Sequence, residues 1–222
     1  MNRYHNRFQD LEWYGPSLNI LIGGLGGIGS WLTLFLSRIG HKIYCYEMDD
    51  VEEQNIGGQL YGPSHIGRGK DRAMKEVITY LCGDTTFNCF GKCTDKSMSN
   101  SIVFTCFDNM ESRKIMFESW RQSDKRRVFI DIRMQAEFFE IFCVQAGDES
   151  KYEKYLFGDE EVPDLPCSAR ATSHCGAMSA SMAVSILNNY LTNEIHPGLR
   201  EVPFHTQVTL PLMMIDIKNK SE

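Results

Sequence analysis

With 222 residues, 42% of them hydrophobic, and a formal net charge of −6, the chain has enough apolar material for one full-size core and falls outside the disordered class. The acidic balance argues against a broad nucleic-acid surface, and the densest basic stretch, residues 124–128, reads as a solvated loop before a strand. No segment has the apolar centre of a secretory signal or the roughly 20 apolar residues of a membrane span, so the expectation is a soluble cytoplasmic protein with no nucleic-acid or membrane partner. The eight cysteines are scattered. Cys89 and Cys93 form a C-x-x-x-C without the second pair that a structural zinc site needs, so reduced thiols are expected.

In chain order, "LNILIGG" (18–24) is a short apolar run ending in glycine, the pattern of a buried parallel strand. Residues 30–40 follow as a helix with Trp31, Leu34 and Ile39 on one face and Gly40 as terminator. A second strand, 41–48, closes at an acidic residue. Residues 69–81 place Ala73, Val77, Ile78 and Leu81 at helical spacing. A strand at 101–108 and a helix at 110–120 come next, then two strands, 127–134 and 137–145, close enough to pair antiparallel. Residues 146–170 are charged, proline-containing and aperiodic, and read as a long crossover loop. A helix rich in small residues spans 177–191, and a last stretch, 206–217, contains a proline that suits an edge strand. This alternation predicts an α/β, doubly wound, Rossmann-like fold: a mostly parallel sheet with antiparallel strands added at one side. It is read as a single domain over 1–222, with an N-terminal arm at 1–17.

Gly24, Gly26 and Gly29 fit G-x-G-x-x-G between the first strand and the first helix. In such a turn the first glycine permits the bend, the second admits a phosphorylated ligand and the third lets helix and strand approach. The helix N-terminus then offers unpaired N–H groups and a partial positive charge to an anion. Glu47 closes the next strand, near the roughly 20-residue spacing of a ribose-binding carboxylate. Nucleotide binding follows from this order, and a dehydrogenase would satisfy it equally well. The next segments favour another chemistry: "EMDDVEEQNIGGQL" (47–60), Lys70 at a helix start, and Asp108, Asn109 and Arg113 after the third clear strand. Taken singly, Lys70 also fits a solvated charge and Asp108 a helix cap.

Together these motifs resemble the ThiF/MoeB family, which shares its fold with the adenylation domains of ubiquitin-activating enzymes. The resemblance runs from about residue 3 to 134 and resumes more weakly over 176–191. It rests on the glycine loop, on Glu47, Asp49 and Val51, on Asn55 and Gln59, on Lys70, and on Asp108–Asn109 with Arg113. It implies a single adenylation domain that uses ATP and Mg²⁺ to activate the C-terminal carboxylate of a small ubiquitin-like or sulfur-carrier-like protein. By the same resemblance Gly24, Gly26, Gly27 and Gly29, with Asp49 and Asn109, would contact the nucleotide. Lys70 would neutralise the phosphates, Asp108 would hold Mg²⁺, Glu47 would take the ribose, and Asn55 and Gln59 would meet the triphosphate. The family also implies a homodimer, in which Arg3 or Arg7 would reach the partner's site. Two departures stand out. Gly58 replaces the family arginine, which leaves a weakened nucleotide-binding scaffold as an alternative, and paired C-x-x-C motifs are missing. Cys167, on the crossover loop, and Cys175, beside His174 before a helix, are the candidates for a thioester-forming nucleophile.

Overall fold

A computed structural model describes residues 7–83, 86–94, 100–158 and 172–218. Five short strands, β1 (Asn19–Gly23), β2 (Lys42–Tyr46), β3 (Phe87–Cys89), β4 (Ile102–Thr105) and β5 (Val128–Gln135), run parallel in the order β3-β2-β1-β4-β5. Ile20, Ile22 and the whole run from Ile102 to Phe104 are fully buried, as expected of strands covered on both faces. Three antiparallel strands extend the sheet: β6 (Phe138–Gln145), β7 (His205–Thr209) and β8 (Met214–Lys218).

Helices cover both faces, so the chain is doubly wound. On one face α1 (Gly29–Ile39), α2 (Lys70–Cys82) and α5 (Ser173–Ile195) bring Leu32, Leu36, Ala73, Ile78, Ala183 and Leu187 against Ile20, Ile22 and Ile130. On the other, α3 (Met110–Arg121) and α4 (Glu149–Glu153) bury Phe117, Trp120 and Tyr152 against Leu21, Val103 and Phe129. Phe8 and Trp13 of the N-terminal arm pack onto the first core. Among the described residues no helix is long and apolar enough to cross a membrane.

The structure differs from the sequence reading at three places. Strand β3 has only three residues and no apolar alternation long enough to announce it. The terminal stretch is a hairpin, not one strand: Pro211 sits in the turn Leu210–Leu212 between β7 and β8, where it needs no ladder partner. The crossover segment opens with α4, which supplies Tyr152 to the core. The small residues of α5, among them Gly176, Ser179, Ala180 and Ala183, are buried within the subunit against its own core.

Candidate active site

The parallel strand order reverses between β1 and β4, and the loops leaving those two strands lie side by side. Open α/β sheets bind ligands in the crevice at such a switch point. The loop after β1 is fastened at several points. Gly24, at φ +86°, donates its N–H to Tyr46 O at 2.9 Å, and only a residue without Cβ adopts that conformation freely. Leu25 donates to Glu47 Oε2 at 2.7 Å, and its carbonyl accepts from the Tyr61 hydroxyl at 2.8 Å. A β-carbon at residue 29 would stand 1.9 Å from Gly24 O, so α1 can start this close to β1 only with glycine there. At residue 26 the space is open, the nearest group being Gln59 Nε2 at 3.9 Å. No side chain caps α1, which leaves its first amides for an anion.

Glu47 is the knot of this region. Besides Leu25 it accepts from the amides of Met48 and Asp49 through Oε1, at 2.8 and 2.9 Å. A carboxylate offers about four acceptor positions, so one remains for a further donor. A cleft of about 670 Å³ opens beside it, lined also by Met48, Arg68, Gly69, Arg72 and Gly91. Lys70, the first residue of α2, is not a solvated charge: it is 7% exposed and its Nζ donates to Asp49 Oδ2 at 3.1 Å. Asn55 accepts from Glu52 N at 2.8 Å, a bond that shapes its own turn. The buried Oε1 of Gln59, beside the glycine loop, has no partner. Gly58 is buried, and its carbonyl accepts from Trp31 Nε1 at 3.4 Å; no cationic side chain enters from this position.

Across the switch point, Cys106 N donates to Gly23 O at 2.7 Å, tying the β4 exit to the β1 exit. The cap of α3 is Asn109, whose Oδ1 accepts from Ser112 N at 2.8 Å. Asp108 is therefore free of capping duty. It is exposed and accepts one bond, from Asn109 Nδ2 at 3.3 Å.

Beneath this loop lies a cluster that the sequence reading did not identify. Asp131, at 0% exposure, accepts from Thr105 Oγ1 at 2.6 Å, Arg133 Nε at 2.7 Å and the Tyr152 hydroxyl at 2.9 Å, and also from Arg113 Nη1. Arg113 further donates to Ile132 O at 3.0 Å and, through Nη2, to Phe107 O. Burial works against the Asp131 charge, but the guanidinium groups of Arg113 and Arg133 outweigh it and hold its carboxyl below the usual range. Two charged residues two apart inside the apolar run "VFIDIRM" were the available signal, because alternate strand positions share a face.

The remaining candidates separate. Cys175 is fully buried, and burial pushes its thiol up to about 11. His174 is exposed and faces Glu137 at 3.3 Å. Cys175 is thus a core side chain and not an activated nucleophile. Cys167 and Arg3 lie outside the described residues, and Arg7 is exposed in the arm. Cys89 is half-buried, and a hydrogen bond from the Cys45 thiol lowers its pKa. Among the described residues no group of three or more His, Cys, Asp or Glu is gathered around a metal position.

The sequence profile of the ThiF family matches residues 16–219. Over 99 residues the chain is 30% identical to ubiquitin-like modifier-activating enzyme 5 of Dictyostelium discoideum, a match covering 44% of this chain and 23% of that protein. Over 72 residues it is 35% identical to the tRNA threonylcarbamoyladenosine dehydratase of Haemophilus influenzae, covering 32% and 28% respectively. The chain spans about a quarter of the length of these curated relatives. Among solved structures, E. coli MccB with ATP superposes with a TM-score of 0.71 at 13% identity, over 99% of this chain and 72% of that one. PaaA superposes with a TM-score of 0.70 at 16% identity, over 97% and 66%. At these identities the likeness to the solved structures is one of fold.

Two outcomes follow from the geometry. Gly29→Ala places a methyl group against backbone and is expected to cost about 1–3 kcal/mol, whereas Gly26→Ala, with open space before it, should stay within about 0.5 kcal/mol of wild type; urea denaturation of both variants checks the contrast. For the thiols, a group with pKa near 11 is ionised to only about one part in a thousand at pH 8. Brief iodoacetamide treatment of the native protein at that pH, followed by peptide mapping, should label Cys89 well before Cys175. Equal labelling would contradict the burial described.

Proposed function

The chain belongs to the ThiF family, and from that premise we propose that it is an ATP-dependent adenylating enzyme acting on a carboxylate. The observation that carries this reading is an uncapped helix N-terminus and a carboxylate without capping duty on the two sides of the β1/β4 switch point, with a buried lysine held by Asp49 beyond the exit of β2. In the reaction, an oxygen of the substrate carboxylate forms a bond to the α-phosphorus of ATP. The bond from that phosphorus to the α–β bridging oxygen breaks, and pyrophosphate leaves with the electron pair.

Such a step crowds negative charge, so the protein's task is to place positive groups and donors and not to shuttle protons. The amides of Gly26 to Gly29 and the α1 dipole face the phosphates. Lys70, released from or shared with Asp49, neutralises them, and the Gln59 Nε2 amide, beside residue 26, is a donor on the same side. The remaining acceptor position of Glu47 takes a ribose hydroxyl, with the base directed toward the adjoining cleft. Asp108 fits Mg²⁺, which takes one or two carboxylates along with phosphate oxygens and water rather than a full protein cage. When bound there, the ion supplies further neutralisation of the triphosphate and of the leaving pyrophosphate.

For the acceptor we propose the C-terminal carboxylate of a small ubiquitin-like or sulfur-carrier-like protein, or of a peptide. Support comes from the similarity to a ubiquitin-like modifier-activating enzyme and from the fold shared with MccB, whose structures include a complex with the peptide MccA. Gly58 favours a second reading, a nucleotide-binding subunit with weakened catalysis, because it leaves the phosphate side without one cation of the family pattern. In a homodimer, Arg7 of the arm would replace that charge from the opposite subunit.

ATP with Mg²⁺ should raise the melting temperature, and NAD should not, since a ligand stabilises only the state that binds it. Asp108→Ala should reduce ATP–pyrophosphate exchange by about 100-fold or more while leaving the melting temperature within about 2 °C of wild type, as expected for an exposed side chain. Wild-type exchange in Asp108→Ala would refute the assignment. Stabilisation by ATP with no exchange under any acceptor would instead select the scaffold reading.

A further inference from the structure

Among the described residues the exposed Asp108 carboxylate makes one side-chain hydrogen bond, from the adjacent Asn109, so its position is set largely by the backbone that carries it. That backbone is pinned from below at two points, Cys106 N on Gly23 O and Phe107 O on Arg113. The second pin is itself held. Arg113 projects from the first turn of α3 into the interior, where Asp131 and the Ile132 carbonyl receive one end of its guanidinium while the other end grips Phe107 O.

Asp131 lies directly across from Thr105 in the β4–β5 register, and its four donors come from β4, α3, β5 and α4. A core that needed only packing would be served as well by apolar side chains, because burying ions carries a desolvation penalty of several kcal/mol each. What an apolar residue cannot do is aim a guanidinium. We propose that Asp131 is a positioning residue for Asp108: through Arg113 it holds the Phe107 carbonyl, and hence the β4–α3 loop, where the Asp108 carboxylate meets the metal–nucleotide complex. The metal role of Asp108 is the reading given above, and the inference rests on it.

Asp131→Asn is close to isosteric but removes the charge that holds both guanidinium groups and turns an amide N–H₂ toward one of them, which weakens the grip on Arg113. Arg113→Lys keeps a positive charge beside Asp131 but lacks the fork that spans both Asp131 and Phe107 O. Hydrogen exchange of the 106–112 peptide, together with calorimetric titration of ATP with and without Mg²⁺, tests the inference. In both variants the amides of that peptide should exchange about tenfold faster while those of β1 keep their protection. The gain in ATP affinity conferred by Mg²⁺ should fall about tenfold, with metal-free ATP affinity within about twofold of wild type.

A merely structural role would lower the melting temperature and leave the Mg²⁺ dependence unchanged in the folded protein, and that result overturns the proposal. If Asp131→Asn does not fold, Arg113→Lys decides, with Thr105→Val as a milder probe that removes one uncharged donor to the carboxylate and should give a smaller shift in the same direction. Wild-type protein whose ATP affinity ignores Mg²⁺ would refute the metal reading of Asp108. The exchange arm would still show whether Asp131 holds the loop, and unchanged exchange there would refute that as well.

Discussion

Helix α1 begins beside the end of β1 because no β-carbon stands at residue 29, and most of the candidate site depends on that approach. With the helix start this close, Gly24 takes a positive φ and Leu25 bonds both of its peptide groups to other segments. Its N–H meets Glu47 and its carbonyl meets Tyr61. The exit of β2 and the segment around residue 61 are thereby fastened to the same turn. What stays uncommitted is the set of amides of residues 26–29 leading into α1, the part suited to an anion.

Charge is the second organising constraint. An acidic chain can present cations to a phosphate only if it holds them in place against its own carboxylates. Here Asp49 does this for Lys70 in a half-buried pair, so that the ammonium is oriented without being sealed off. Deeper in, Asp131 balances Arg113 and Arg133 with no solvent to screen them. The two pairs differ in what surrounds them. In the first, the carboxylate is more than half exposed, so water or a ligand can take its place on Lys70. In the core, a charge without its partner is strongly unfavourable, so the geometry of the network is enforced.

The same contrast separates reactive from inert side chains. Cys175 follows a histidine at the start of a helix, a setting that in sequence suggests a lowered pKa. Its burial in the first turn of α5 reverses the expectation, because desolvation disfavours the thiolate and the Glu137 carboxylate acts in the same direction. Asp108 and Asn109 show the converse. As neighbours in sequence either would serve as the cap of α3, and the fold assigns that task to Asn109, leaving the carboxylate exposed.

The glycine spacing, the apolar strand runs and the helical periodicities are local, and each has a direct physical reading, so the doubly wound sheet, the antiparallel addition and the residues of the β1–α1 turn were legible in the amino-acid sequence alone. Strand β3 was not, because three residues carry too little pattern, and neither was the β7–β8 hairpin, because a proline reads alike in an edge strand and in a turn. Only the tertiary structure decided that Lys70 is buried against Asp49, that the small-residue face of α5 serves its own core, and that Asp131, 18 positions beyond Arg113, is its partner. The reason is one of range. Local pattern records which face of an element avoids water, but the partner of a buried charge is set by which strands become neighbours, and that depends on the whole sheet being assembled.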